Sequence, residues 1–214
     1  MSMLKRIASG ALCCLLICLS FAGCSKKALG DSPVPLETVT QNSRNDLITF
    51  EFSLPSGWIT DSQDYYAVAA GNIKEYVGED DPSLRLVISN YRHTGWLFSE
   101  EDEKRIDDLF QGKTEAYEQH INSLQEFTHM KAENFQYQYY RGTYGTIAEV
   151  QYSYTYQNKT FHEILCYRED IPYVITGASK DSNELSSGDI VPWVADSLKV
   201  TEHFQTQSDT SQEK

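Results

Sequence analysis

Tyrosine is the residue type in this sequence whose number and spacing most suggest a chemical role. Seven of the 14 tyrosines fall within a 20-residue stretch, residues 137–156. A tyrosine ring packs against apolar groups while its hydroxyl stays hydrated, so the cluster predicts either structural packing or an aromatic binding platform. A platform would suit a glycan, a peptide or an apolar ligand. The residues we assign to it are Tyr137, Tyr139, Tyr154 and Tyr156.

The histidines and the common catalytic motifs give no second candidate. The five histidines are scattered, and none lies four residues from another. The sequence holds no nucleophile elbow, phosphate-binding loop, dinucleotide fingerprint or zinc-binding motif. We therefore predict no catalytic residue, no metal and no cofactor, and we expect the protein not to be an enzyme.

Two acidic clusters are the strongest candidates for a cation site. Glu79–Asp81 lies in a predicted loop, and Glu100–Glu103 lies at the start of a predicted helix. Calcium takes six to eight oxygen ligands, which such clusters could supply. The second cluster also has a local explanation, because carboxylates in a first helical turn interact favourably with the helix dipole. The sequence leaves open whether Glu79–Asp81 binds a cation.

The N-terminal residues have the pattern of a targeting segment. Lys5 and Arg6 precede an apolar run, Ile7–Cys18, that is short for a membrane span. Small residues then lead to Cys24 in the order Leu-Ser-Phe-Ala-Gly-Cys. This ending resembles a bacterial lipobox, which implies a thioether-linked diacylglycerol on Cys24 and cleavage just before it. The alternative is an ordinary secretory signal followed by a chance cysteine.

The net charge limits the classes of partner that the protein can bind. The formal charge is −13 and the isoelectric point is near 4.7, which opposes binding to nucleic acid and to anionic lipid through a basic patch. Loss of Lys5 and Arg6 with residues 1–23 would make the charge −15. We therefore expect membrane attachment through the lipid on Cys24, on the extracytoplasmic side of the cell membrane.

The remaining cysteine belongs to the fold. Of five cysteines, three lie within the predicted signal and Cys24 would carry lipid, which leaves Cys166 without an intramolecular partner. Cys166 lies in a strand-like run, so we predict a small buried apolar residue rather than a nucleophile. We expect a monomer with one free thiol.

The chain divides into four segments in this reading. Residues 1–23 form the signal, 24–46 a flexible tether, 47–204 one domain and 205–214 a disordered tail. Alternation of apolar and polar residues predicts seven strands in the domain. They are Leu47–Leu54, Tyr65–Ala70, Leu84–Tyr91, Phe135–Tyr140, Thr146–Tyr156, Thr160–Tyr167 and Tyr173–Ala178. Apolar residues at three- and four-residue spacing predict a long helix, Ser99–Phe127, and a short one, Asp189–Leu198.

The order of these elements predicts an α+β fold with an antiparallel sheet of about seven strands, one long helix and one short helix. The run of Phe50, Phe52 and Leu54 into Pro55, Gly57 and Trp58 resembles the PsbP-like fold. The long strand Gly145–Tyr156 beside Thr160–Tyr167, and the closing helix Trp193–Val200, are similar to it too. The resemblance implies the fold and no catalytic residues.

We therefore predict a lipid-anchored, non-catalytic protein that binds or scaffolds an envelope component, either a protein or a glycan. The first alternative is an envelope hydrolase whose site is dispersed along the sequence. The second alternative is a lipoprotein that binds a small ligand.

Overall fold

The computed structural model describes residues 26–62, 66–70, 82–92, 100–125, 131–180 and 183–203. Strands contain more of these residues than helices do. The strands are β1 Lys27–Ala28, β2 Leu36–Asn42, β3 Ile48–Pro55, β4 Ile59–Ser62, β5 Tyr66–Ala70, β6 Arg85–Asn90, β7 Glu133–Arg141, β8 Thr146–Tyr156, β9 Lys159–Arg168, β10 Tyr173–Ser179 and β11 Lys199–Glu202. The helices are α1 Glu100–Phe110, α2 Glu115–Gln125 and α3 Val191–Ser197, with short 3-10 turns at Pro82–Leu84 and Gly188–Ile190.

The strands form two sheets. The larger has eight strands in the order β1-β7-β8-β9-β10-β6-β5-β4, and the smaller has three in the order β11-β3-β2. All pairings are antiparallel except that of β1 with β7. The predicted α+β class with a large antiparallel sheet is confirmed.

Two hydrophobic cores cover the two faces of the large sheet. On one face, Phe50 and Phe52 of the small sheet and Val194 of α3 pack with Ile175 of β10. On the other face, α1 and α2 cover the sheet. The buried residues of this second core are Ile106, Leu109, Tyr117, Ile121, Ala132, Tyr139, Ala148, Val150, Tyr152, Leu165, Tyr167 and Val174. The fold is therefore layered, with the large sheet between the helix pair and a layer of α3 and the small sheet.

The predicted long helix Ser99–Phe127 is wrong as a single element, because it breaks between α1 and α2. Gly112 has φ of 77°, in the left-handed region that favours glycine. Its N–H bonds the Leu109 carbonyl at 2.9 Å, and the N–H of Lys113 bonds the Asp108 carbonyl at 2.8 Å. This pair of bonds is a Schellman motif, which ends a helix. Gly112 therefore acts as a stop rather than as a weak point inside one helix.

The predicted tether 24–46 is wrong for its described part, residues 26–46. β2 pairs with β3 over seven residues, from Leu36 opposite Pro55 to Asn42 opposite Thr49. Leu29 and Val34 pack against the first core. The polar composition of residues 26–46 did not indicate a strand. The reason is that β2 lies at a sheet edge, where backbone pairing rather than apolar alternation stabilises the strand.

Strand β8 is buried on both faces. Ala148 and Val150 point to the helix layer, as predicted, but Glu149 on the opposite face is also only 4% exposed. The Glu149 carboxylate accepts hydrogen bonds from the Tyr140 hydroxyl at 3.1 Å and from the Gln151 amide. Polar side chains at alternate positions therefore do not indicate a solvent-exposed face in this strand. That face of β8 is covered by α3 and by the residues of the first core.

Several predictions fall outside the described residues. These are the signal and Cys24, the acidic loop Glu79–Asp81 and the tail 205–214. Cys166 is described: it is a buried free thiol, as predicted, and burial raises its pKa well above the ordinary value. In the ranges that the structure covers, no helix is long and apolar enough to cross a membrane.

Candidate functional site: a tyrosine ladder and its open end

The predicted platform residues lie on the face of the large sheet that α1 and α2 cover. In the register of β7 with β8, Tyr137 lies opposite Val150 and Tyr139 opposite Ala148. In the register of β8 with β9, Tyr154 lies opposite Phe161. Because alternate residues of a strand share a face, these rings and Tyr152 form one surface.

The rings make a continuous series of contacts, which we call the tyrosine ladder. Each neighbouring pair has centroids 5.3–6.5 Å apart, within the range for favourable aromatic pairs. In order, its members are Phe161, Tyr154, Tyr152, Phe135, Tyr137, Tyr117, Tyr167 and Tyr91. The ladder joins three strands of the sheet to α2.

The hydroxyls of the ladder tyrosines form hydrogen bonds with other groups of the protein. Tyr152 donates to Glu163 Oε2 at 2.5 Å and Tyr154 donates to Glu163 Oε1 at 3.2 Å, so one carboxylate holds two rings. Tyr137 donates to Glu118 of α2 at 3.0 Å. The Tyr117 and Tyr167 hydroxyls share a hydrogen bond of 2.9 Å inside the core.

These environments raise the pKa of the hydroxyls. Burial is the largest cause for Tyr137, Tyr152 and Tyr154, and the neighbouring carboxylate raises each pKa further. Burial also raises the pKa of Tyr167 to about 12. At neutral pH the ladder hydroxyls are therefore uncharged donors, not bases or nucleophiles, and their chemistry is to fix ring positions.

The raised pKa values predict a staged alkaline titration. Tyr167 and Tyr173 have pKa values of about 12 in the folded protein, against an ordinary value of 10.0. Their contribution to stability is therefore complete below pH 10 and lost as pH rises towards 12. We expect tyrosinate absorbance at 295 nm to include a component that appears only as the pH approaches 12, together with unfolding. Titration of all tyrosines near pH 10 with near-UV dichroism retained would contradict a packed ladder.

The exposure of the tyrosines on β8 rises along the strand. Tyr152 is 7% exposed, Tyr154 is half-buried, and Tyr156 is 47% exposed. Tyr139 is buried and donates to the Leu109 carbonyl at 2.8 Å, so it belongs to the core. The four assigned residues therefore do not surround one opening: Tyr137 and Tyr139 lie against the helices, and Tyr154 and Tyr156 lie at the strand end.

The open end of the ladder is only partly covered by the rest of the domain. Tyr154 and Phe161 are stacked with centroids 5.3 Å apart and planes at 17°, and both are only partly buried. Tyr156 follows on the same face. We call Tyr154, Tyr156 and Phe161 the hairpin platform.

Phe161 and Glu163 were missed as site residues in the sequence, although the signal for them was present. Gln157 and Asn158 have φ of 49° and 62°, as in the two-residue turn that favours hairpins. A two-residue turn there sets the register that places Phe161 opposite Tyr154 and Glu163 opposite Tyr152.

A hollow that is separate from the hairpin platform lies between α1 and the turn from β9 to β10. It measures about 340 Å³, with Tyr91, Phe110 and Arg168 in its lining. Arg168 is 5% exposed and is held by the Asp170 carboxylate and by carbonyls of Ala195 and Leu198. This arginine therefore fastens the end of α3 to the sheet. No group of three metal-ligating side chains occurs within the described ranges.

Comparison with solved structures gives a fold-level likeness. The chain is similar to the solution structure of cyanobacterial PsbP (CyanoP) from Synechocystis sp. PCC 6803, with 15% identity over 81% of this chain and 98% of that one and a TM-score of 0.41. We take neither a residue role nor a function from this likeness. No protein-family model matches the chain. No curated protein matches it either.

Proposed function

We propose that this chain is a lipid-anchored extracytoplasmic protein with a non-catalytic binding role, and that the hairpin platform is its binding surface. The observation that supports the platform is the stacked, half-exposed pair of Tyr154 and Phe161 at the open end of a rigid ladder. Rings held in place before binding lose little conformational entropy when a ligand arrives.

The supporting groups suit binding better than turnover. Glu163 accepts two tyrosine hydroxyls, and Glu118 accepts a third, so both carboxylates serve to position rings. The tyrosines near them have raised pKa values and stay neutral at physiological pH. An envelope hydrolase is the alternative function. It differs from our proposal because it would cleave the bound substrate and release a product.

The ligand chemistry that fits the platform is an uncharged envelope glycan. A flat aromatic surface packs against the apolar face of a sugar ring, while the Tyr156 hydroxyl and the neighbouring Gln157 amide offer polar contacts. The protein's charge of −13 opposes strongly anionic polymers. The second hypothesis is that the platform binds an envelope protein. The binding experiment below distinguishes a glycan ligand from a protein partner.

Tyr156→Ala is expected to weaken retention on purified envelope glycan by about 2- to 10-fold, the equivalent of one aromatic contact of about 0.5–1.5 kcal/mol. The full processed chain in detergent is measured by co-sedimentation with the insoluble glycan. Tyr144→Ala is the matched control, because Tyr144 is 45% exposed and Tyr156 is 47% exposed. Equal retention of the two variants and the wild type would contradict the platform. Release of soluble sugar fragments would favour the hydrolase alternative.

Cys24→Ala is expected to give a chain without acyl groups that is either unprocessed or released from the membrane. The reason is that two acyl chains on Cys24 supply the attachment that an acidic body cannot supply by charge. The measurement is fractionation of expressing cells together with intact mass of the mature chain. Unchanged acylation and unchanged recovery in the membrane fraction would contradict the anchor, and secretion of an identically processed wild-type chain would favour an ordinary signal.

A further inference from the structure

We propose that the domain rests directly on the bilayer through the end of the large sheet that carries Lys26, Arg141 and Tyr144, with the hairpin platform held away from it. The inference rests on the proposed lipidation of Cys24 and adds an orientation to it.

The chain joins the domain almost at once after Cys24. Lys26 donates from its Nζ to Thr146 Oγ1 at 2.6 Å, and Lys27 pairs with Tyr140 as β1 begins. Leu29 then packs against the first core. Consecutive Cα atoms are about 3.8 Å apart, so the Cα of Cys24 lies within about 7.6 Å of that of Lys26. A lipid on Cys24 therefore leaves no room for a spacer between the bilayer and this part of the domain.

The turn from β7 to β8 presents an aromatic ring at the same end. Tyr144 is 45% exposed, and its ring lies over the Arg168 guanidinium with 4.8 Å between Cζ and the ring centroid. The turn is held to α3, because Thr143 donates from its backbone N–H and its hydroxyl to the Asp196 carboxylate. An exposed tyrosine on a rigid turn suits the headgroup level of a bilayer, where amphipathic rings concentrate.

The turn is also packed so closely that its shape is fixed. A Cβ on Gly142 would lie 2.6 Å from Asp196 Oδ1 and 2.8 Å from Ile147 Cδ1. A larger residue there would have to displace these two side-chain ends, so glycine suits the close approach of the turn to α3.

The charge at this end is compatible with a lipid surface. Lys26, Lys27 and Arg141 are exposed there, in a protein whose net charge is −13. Glu169 and Asp170 are also exposed at this end, and hydrogen bonding from Thr146, with a smaller contribution from the Lys26 charge, lowers the pKa of Glu169. The mixed charges mean that contact does not place a strongly acidic surface against the bilayer, while attachment still depends on the acyl chains.

The hairpin platform lies at the other end of β8. This strand runs from Thr146 to Tyr156, 11 residues, which span roughly 34 Å at about 3.4 Å per residue. The proposed orientation therefore leaves Tyr156 and Phe161 facing the envelope, where a large polymer has access.

The test places a fluorophore at each end of the sheet. The full processed chain is reconstituted in vesicles of three parts phosphatidylcholine to one part phosphatidylglycerol containing a nitroxide headgroup lipid. The labelled variants are Arg141→Cys and Tyr144→Cys at the proposed contact and Thr155→Cys at the far end; all three positions are exposed. Cys166 is buried with a raised pKa, so it does not compete for the label, and the labelled wild type checks this.

We expect nitroxide quenching at residues 141 and 144 to exceed that at residue 155 by at least five-fold. Equal or reversed quenching in a protein that floats with the vesicles would overturn the orientation and leave the anchor intact. A chain that fails to float, or a Cys24→Ala variant lacking residues 1–23 that floats as well as the wild type, would instead overturn the proposed anchor. Thermal unfolding of each labelled variant confirms that the domain is folded.

Discussion

Leu109→Ala is expected to lower the free energy of unfolding by about 2–5 kcal/mol, the range for removing a buried leucine side chain. Leu109 is 0% exposed and lies in the core between α1, α2 and the sheet. Its carbonyl also accepts the Tyr139 hydroxyl at 2.8 Å, which fixes the helix over the strand. The cavity would open beneath the helix layer, where the packed rings have little freedom to collapse into it. The measurement is urea denaturation followed by tyrosine fluorescence and far-UV dichroism.

Lys104→Ala is the matched control for that measurement. Lys104 lies on the same helix and is exposed, so its loss should change the free energy of unfolding by less than about 0.5 kcal/mol. If Leu109→Ala also changed stability by less than about 0.5 kcal/mol, the helix layer would not be packed against the sheet.

Gly177→Ala should destabilise the fold by about 1–3 kcal/mol, through overpacking rather than through a cavity. A Cβ at residue 177 would lie 2.7 Å from Val191 Cγ2 and 2.8 Å from the carbonyl carbon and oxygen of Ser187. Ser187 is itself tied to β10, because the Ala178 N–H donates to its hydroxyl oxygen at 2.8 Å. Since the obstacle includes backbone, relief requires the segment before α3 to move away from the sheet. Thermal unfolding and the urea midpoint measure the loss.

Gly30→Ala provides the comparison, because a Cβ there meets nothing within 4 Å. It should leave stability unchanged or raise it by up to about 1 kcal/mol, since alanine reduces the freedom of the unfolded chain. A Gly177→Ala variant as stable as the Gly30→Ala variant would show that β10 and the Ser187 segment are not in contact.

The sequence alone determined the seven apolar strands and the closing helix. In these elements the apolar period agrees with burial: Ile48, Phe50, Phe52 and Leu54 alternate along β3 and are buried, and Ile190, Val194 and Leu198 form one stripe. The gradient from Tyr152 to Tyr156 could also be predicted, because Ala148 and Val150 fix which face of β8 points inward. Cys166 as a buried thiol followed from the same alternation.

The strand β2 could not be obtained this way, because its stability comes from its neighbour. Its seven residues pair with β3, and their own side chains are mostly polar. The break after α1 left a signal in Gly112, but the apolar stripe continues across it at helical spacing. Only the packed structure shows that two short helices, rather than one, cover the sheet.

The fate of the tyrosines depended on tertiary structure in the same way. Local sequence places Tyr137, Tyr139 and Tyr154 on one face of their strands, and that part is confirmed by the register. Whether such a face is a ligand platform or a core depends on what packs over it, which is determined by residues 20–50 positions away. α1 and α2 close the ladder at Tyr139 and leave it open at Tyr154, because two short helices cover less of the sheet than its strands extend. Side-chain periodicity is a local property and the covering layer is a long-range one, so the sequence determined the rings and the tertiary structure decided which of them a ligand can reach.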